Sequence, residues 1–221
     1  MTEKRKRKKE LKKDVSFPPR MVERLLLYSK FLKNLNGSGE TNVFSRDLAD
    51  FVGVSPEQVR RDLMFLDLQG IPSKGYPAGK FLETINRKLA LPDATKAVIV
   101  GTGRIGKAML GYFRNGRKNI TVVAAFNVNP DFKDTNIANC PVYDFSEIGK
   151  IIPRFQADIG IITVPAKEAQ RTADALVSAG IKGLVNFAPV LLKVRSGVFI
   201  EQLDITLSIK KAAYFARKAA N

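Results

Sequence analysis

Lys96-Ala97-Val98-Ile99-Val100-Gly101-Thr102-Gly103-Arg104-Ile105-Gly106 is the stretch on which the reading of the fold turns. Its first five residues form a mostly apolar run suited to a buried strand, and a helix is expected from the glycines to about Phe113. Between them, Gly101 permits a tight turn, Gly103 lets backbone approach a pyrophosphate, and Gly106 lets the helix pack closely on the sheet. The pyrophosphate would rest on the N–H groups at the helix N-terminus. Gly101, Thr102, Gly103, Arg104, Ile105 and Gly106 are therefore candidate cofactor-binding residues. A Gly-rich turn without ligand is the plainer alternative.

One expected part is missing. A ribose-binding acid should stand at the end of the second strand, about twenty residues on. This chain has Asn127 there and Asn129 two residues later. Asparagine can still hydrogen-bond a ribose hydroxyl, but it carries no charge to repel a 2′-phosphate.

Outward from this stretch, strands and helices alternate to the C-terminus. Strands are expected over Ile120–Asn127, Ala157–Val164, Gly183–Phe187 and near Val198–Leu203, with a helix over Ala166–Ala179 closed by Gly180. A last helix runs from Ile205 to about Ala219. The fold class is α/β, a Rossmann-type, mostly parallel sheet.

Upstream the pattern differs. Met21, Leu25, Tyr28, Leu32 and Leu35 recur at helical spacing until Asn36-Gly37-Ser38-Gly39 breaks the run. Ser45 starts a second helix with Asp47 in its first turn. Ser55-Pro56-Glu57-Gln58 opens a third, in which Ser55 and Gln58 are expected to form a reciprocal capping box and which should reach about Leu68. Gly70 to Gly79, rich in Gly and Pro, suits a short hairpin or wing, and Phe81–Leu89 a linking helix. Ala49, Gly53 and Val59 supply the small residue, the turn glycine and the inward β-branched residue of a helix-turn-helix, so the head reads as a winged helix. Gln58, Arg60 and Arg61 then lie where a recognition helix enters the major groove. Ser45 and Ser55 at the helix starts, and Lys74 and Tyr76 in the wing, complete the candidate DNA contacts. A purely structural three-helix bundle is the alternative.

The domains follow: a basic arm over 1–16, a winged-helix head over 17–90, a Rossmann domain over 91–204 and a C-terminal dimerisation helix over 205–221. The arm is expected to be disordered, either a solubilising tail or a phosphate-contacting strand of charge. The net charge of +16 across 221 residues favours a polyanionic partner. No apolar run reaches membrane-spanning length, and no apolar segment of a secretory signal follows the basic start, so a cytoplasmic protein without a membrane segment is expected. Cys140 is the only cysteine and histidine is absent, which all but excludes a zinc site and any internal disulfide. Cys140 itself reads as an ordinary loop or partly buried thiol rather than a redox centre. Tyr214 and Lys218 have the spacing of a dehydrogenase pair, but they lie on the final helix with no second α/β domain to hold a substrate. The cofactor thus reads as signal rather than reagent, and no catalytic residue is assigned.

A basic winged helix, a linking helix and a terminal Rossmann domain together resemble the Rex family of redox-sensing repressors, over about residues 17–218. Gln58-Val59-Arg60-Arg61-Asp62-Leu63, Gly101 to Gly106, Thr163-Val164-Pro165 and Asn186-Phe187-Ala188-Pro189 carry the resemblance. It implies a homodimer on palindromic operator DNA, NAD(H) as cofactor, and release of the DNA when NADH binds. It also implies that Thr163, Val164, Pro165, Asn186 and Phe187 join Asn127 around the cofactor. Arg24, Tyr112 and Asp204 resemble the family's interdomain switch, and the C-terminal helix resembles the segment exchanged between subunits. The chain departs from the family at Asn127 and Asn129, at Met64-Phe65-Leu66-Asp67, and at Ile205, where an aromatic often stands. Two other readings remain open: an NAD(P)- or coenzyme A-binding enzyme, and a constitutive DNA-binding protein whose Rossmann domain only dimerises.

Overall fold

The computed structural model describes residues 17–35, 42–114, 119–128 and 135–218. The basic arm, the Asn36–Gly39 break and Asn129 lie outside them. The chain divides into two compact units between Leu91 and Pro92.

Among the described residues, the first unit is built on four helices: α1 (Pro19–Leu35), α2 (Ser45–Val52), α3 (Pro56–Phe65) and α4 (Ala78–Leu89). Met21, Leu25, Tyr28 and Leu32 form the inward stripe of α1 and pack with Leu48, Val59, Leu63, Phe81 and Ile85. Each such side chain, once fully buried, contributes about 1.5–3 kcal/mol. Between α2 and α3 the chain turns at Gly53, whose φ of 75° is left-handed and whose N–H donates to the Ala49 carbonyl at 2.8 Å. Ala49 and Val59 are both buried, which gives the helix-turn-helix contact its small and β-branched partners.

Three details depart from the sequence reading. Helix α3 stops at Phe65 instead of Leu68, because Asp67 takes a positive φ of 57°. Ser55 does accept from the Gln58 N–H at 3.2 Å, but the Gln58 side chain reaches forward to Asp62 rather than back to the cap. The wing is more than a self-contained hairpin. Its strand β2 (Tyr76–Pro77) pairs antiparallel with β1 (Asn42–Val43), a strand ahead of α2, and only an Ile71–Gly75 bridge closes the loop itself.

The second unit carries a seven-stranded sheet, in spatial order β5 (Asn136–Ile137), β6 (Cys140–Asp144), β4 (Ile120–Asn127), β3 (Thr95–Val100), β7 (Ile159–Ile162), β8 (Gly183–Asn186) and β9 (Phe199–Gln202). All neighbours are parallel except β5 and β6. Helices α6 (Ile148–Phe155) and α7 (Ala166–Ser178) share one apolar cluster with the sheet, and α5 (Arg104–Tyr112) covers the other face through Leu110. Strand order reverses between β3 and β7, and open α/β sheets bind ligands at the carboxyl ends of strands flanking such a point. Helix α8 (Ile205–Lys218) closes the described chain with every residue exposed.

The sequence reading passed over β5, β6 and α6. Cys140 is accordingly not in a loop: it is buried in β6, where burial pushes its thiol up to about 11.

Candidate functional site

The glycine-rich loop leaves β3 at Gly101, whose φ is 103°. A side chain there would also press to 2.8 Å on the Thr163 backbone, so only glycine fits on two counts. At Gly106 a Cβ would collide with the Gly101 carbonyl, because α5 is drawn tight against the turn. Gly103 differs. Nothing lies within 4 Å of a Cβ built on it, so its lack of a side chain answers no need of the fold and leaves the space before α5 open. Thr163 holds the other side, with its hydroxyl 2.7 Å from the Gly101 carbonyl and 3.0 Å from that of Val100.

These elements border a cavity of about 480 Å³. Gly101, Thr102, Gly103, Arg104, Asn127, Thr163, Val164 and Pro165 of the sequence-predicted set line it. Ile105, Gly106, Asn186 and Phe187 do not. Asn186 is fully buried instead. Its amide nitrogen donates to the Ala188 and Val190 carbonyls and to Gln202 Oε1, and its oxygen accepts the Ala188 N–H at 3.0 Å, which pins the loop after β8 to β9. Asn127 ends β4 and donates its amide to the hydroxyl of buried Thr102.

Lys107, Phe145, Glu168, Arg171 and Thr172 also line the cavity and were not singled out from the sequence. Phe145 follows the cap that Asp144 forms over Ser146 and Glu147, and the Asp144-Phe145-Ser146-Glu147 pattern is the signal that could have found it. Arg171 and Glu168 sit three residues apart on α7, 4.0 Å from each other. Arg104, Lys107 and Arg171 against Glu168 make the lining cationic overall, as a ligand carrying phosphates requires.

In the first unit, the candidate interface is the outer face of α3. Arg60 and Arg61 are exposed there, and Gln58 is half-buried. Arg60 forks between Glu57 at 2.6 Å and the hydroxyl of Ser45 at 3.3 Å, so the start of α2 steadies α3. Glu57 is held in its charged form below the usual carboxylate range by its own backbone N–H, the Ser55 hydroxyl and Arg60. Ser55 caps α3, Lys74 is exposed at the wing tip, and Tyr76 packs on Phe81 with ring centroids 6.4 Å apart.

Beneath that face lies a residue whose role the sequence did not reveal. The Asp62 carboxylate is buried and accepts from Arg24 Nε at 2.6 Å and Nη2 at 2.7 Å, from the Tyr28 hydroxyl at 3.0 Å and from Gln58 Nε2 at 3.0 Å. A carboxylate only accepts, so the Gln58 amide must turn its NH₂ inward and its oxygen outward. Arg24, held more firmly protonated by this pair, is thus engaged inside its own unit. Burial and the Asp62 charge push the Tyr28 phenol upward. Of the other two predicted switch residues, Tyr112 ends α5 half-exposed, and Asp204 caps α8 by accepting the Leu207 N–H at 2.9 Å.

Among the described residues no cluster of three metal-ligating side chains occurs, and no helix is long and apolar enough to cross a membrane.

Comparison with known proteins places both units. Residues 17–63 match the family model described as "Putative DNA-binding protein N-terminus", and residues 92–190 match the "CoA binding domain" model. The redox-sensing transcriptional repressor Rex of Lactobacillus gasseri is 34% identical over 202 residues, covering 91% of this chain and 94% of its own. The crystal structure of RSP in complex with β-NAD⁺ and operator DNA superposes with a TM-score of 0.83 at 29% identity, over 93% of this chain and 94% of that one. RSP in complex with β-NADH gives 0.78 at 29% identity, over 92% and 96%.

Proposed function

Since the chain belongs to the Rex family of redox-sensing transcriptional repressors, we infer that its first unit holds operator DNA and its second unit reads NADH to release it. The single observation that carries this reading is the coexistence, in one chain, of a cationic cavity at the sheet's switch point and an arginine-bearing helix-turn-helix face. A pyrophosphate lies in the open space at Gly103, on the N–H groups of the first turn of α5, with Arg104 beside it. Asn127 takes the adenosine ribose, and Thr163, Val164 and Pro165 border the half that leads to the nicotinamide. Asn186 and Phe187 act from behind the cavity, by fixing the loop after β8.

On the DNA side, Arg60 and Arg61 reach base edges or phosphates in the major groove, and Gln58 presents its carbonyl oxygen. Ser45, Ser55, Lys74 and Tyr76 flank them, and the basic arm over 1–16 adds phosphate contacts that carry no sequence preference. The domain plan is head 17–90, Rossmann domain 91–204 and dimerisation helix 205–221. Ile205, Leu207, Ile209, Tyr214 and Phe215 on α8 are each more than half exposed, a surface suited to a second copy of the chain. A homodimer explains a palindromic operator, because two-fold protein symmetry calls for two half-sites. Arg24, Tyr112 and Asp204 form the switch, with Arg24 giving up the Asp62 carboxylate in one state. A near-complete release requires NADH to favour the DNA-free state by about 5.5 kcal/mol.

The cofactor is a signal and not a reagent. Tyr214 and Lys218 lie one turn apart on α8, the ammonium 5.4 Å over the phenol ring, and neither borders the cavity that would hold the nicotinamide. A repressor acting on bacterial DNA works in the cytoplasm. Fluorescence anisotropy of a labelled palindromic duplex at fixed salt tests the reading: NADH lowers the anisotropy while NAD⁺ leaves it. An enzyme would instead turn over substrate and bind all duplexes alike.

A further inference from the structure

The end of β4 carries no acid of the kind that ordinarily excludes a phosphorylated ribose. In a Rossmann fold the acid at the end of the second strand hydrogen-bonds the adenosine hydroxyls and repels a 2′-phosphate. Asn127 holds that place at the end of β4, and its amide donates to the Thr102 hydroxyl, so its nitrogen faces the glycine loop. Among the described residues the acid nearest in register is Asp144, the β6 partner of Asn127. Its carboxylate turns onto Ser146, accepting the N–H at 2.9 Å and the hydroxyl at 2.6 Å. Among the described lining residues the one acid is Glu168, and it stands beside Arg171.

Arg171 supplies the opposite sign in the right quarter. Its guanidinium lies 5.2 Å over the ring of Phe145, and Phe145 immediately follows Asp144, the register partner of Asn127. The chain of contacts sets this cation on the β4–β6 side of the cavity, where an adenosine ribose is held. The side chain is 71% exposed, so it can swing to a ligand, and its planar fork matches phosphate oxygens two at a time.

We propose that the cavity accepts NADPH as well as NADH, with Asn127 admitting the 2′-phosphate and Arg171 binding it. This rests on the reading of the cavity as a nicotinamide dinucleotide site. The full-length protein is titrated by calorimetry at fixed salt with NADH, NADPH and coenzyme A. The expected result is an NADPH affinity within about tenfold of that for NADH, with coenzyme A weaker than both. Asn127→Asp and Arg171→Ala should each lower the NADPH-to-NADH affinity ratio by about tenfold, the worth of one charge-assisted contact. NADPH more than about a hundredfold weaker than NADH, or a ratio unmoved by both substitutions, overturns the proposal while leaving NADH sensing intact. Preferential binding of coenzyme A also overturns it, by assigning the phosphate tolerance to the 3′ position. Failure of both dinucleotides to bind overturns the proposal and the NADH reading together.

Discussion

The head and the dinucleotide unit organise their candidate sites by opposite means. In the head, one buried side chain does the organising: Asp62 gathers Arg24, Tyr28 and Gln58 and so joins α1 to α3. In the dinucleotide unit the cavity is shaped by side chains that are missing, at Gly101, Gly103 and Gly106. That unit has a buried polar hub too, Asn186, but it is neutral and sits outside the cavity lining. The difference follows from what each unit must meet. A pyrophosphate is bound by backbone N–H groups, which side chains would keep at a distance, whereas base edges are read by side chains that must be held in one orientation.

The largest effect should come from the head's hub. Asp62→Ala strands a guanidinium that is only 18% exposed, and breaking such a pair costs about 3–5 kcal/mol. Urea unfolding of the head should show the loss, with NADH binding in the other unit kept. A head as stable as before would break the comparison, because the organising role would then lie elsewhere.

Next in size are the glycines, and they sharpen it. Gly106→Val forces a side chain into the Gly101 carbonyl, and overpacking of about 1–3 kcal/mol should appear as a destabilised second unit with weakened NADH binding. A Cβ at position 103 meets no atom of the fold within 4 Å, so Gly103→Val should move stability by no more than about 0.5 kcal/mol while NADH binding falls. Equal destabilisation by both would mean that Gly103 serves packing and not the ligand. Arg60→Ala comes third. It should weaken operator binding by about 1–3 kcal/mol and relax sequence preference at one position, as read by competition with mismatched duplexes. A uniform loss across all duplexes would make Arg60 a phosphate contact.

The smallest effect at neutral pH belongs to Cys140. Its folded pKa is raised from an ordinary 9.0 to about 11 by burial, so the unfolded chain loses the proton first. The stabilisation is whole below about pH 9 and declines as pH rises through about 11. Thermal melts between pH 8 and 11 should show that slope in the wild type and lose it in Cys140→Ala.

The same contrast explains what was legible. Glycine spacing after a strand is a local signal, and it located β3, the loop, α5 and the cavity-lining run from Gly101 to Arg104. The helix-turn-helix was legible for the same reason, through Ala49, Gly53 and Val59. Asp62 was not, since an acid within a helix looks like solvated charge until Arg24, 38 residues away, is brought against it. Ser55 and Gln58 matched a capping box, yet the nearer claim on the Gln58 amide came from the next turn. Helix α6 was hidden by Gly149 and Pro153, although Ile148, Ile151, Ile152 and Phe155 keep a helical period. Strands β1 and β2 have two residues each, too short for any period to register. Asn186 is recognisable by resemblance, but its place behind the cavity depends on β9 arriving alongside to offer Gln202.

Occupancy of the cavity in one unit is inferred to govern the DNA held by the other. This coupling is tested most directly by titrating NADH into a preformed operator complex at fixed salt, with wild-type protein and Gly103→Val in parallel. The wild type should release the duplex at NADH concentrations that leave the variant's complex intact. Release at the same concentration from both, or NADH bound by the wild type with the complex undisturbed, would contradict it.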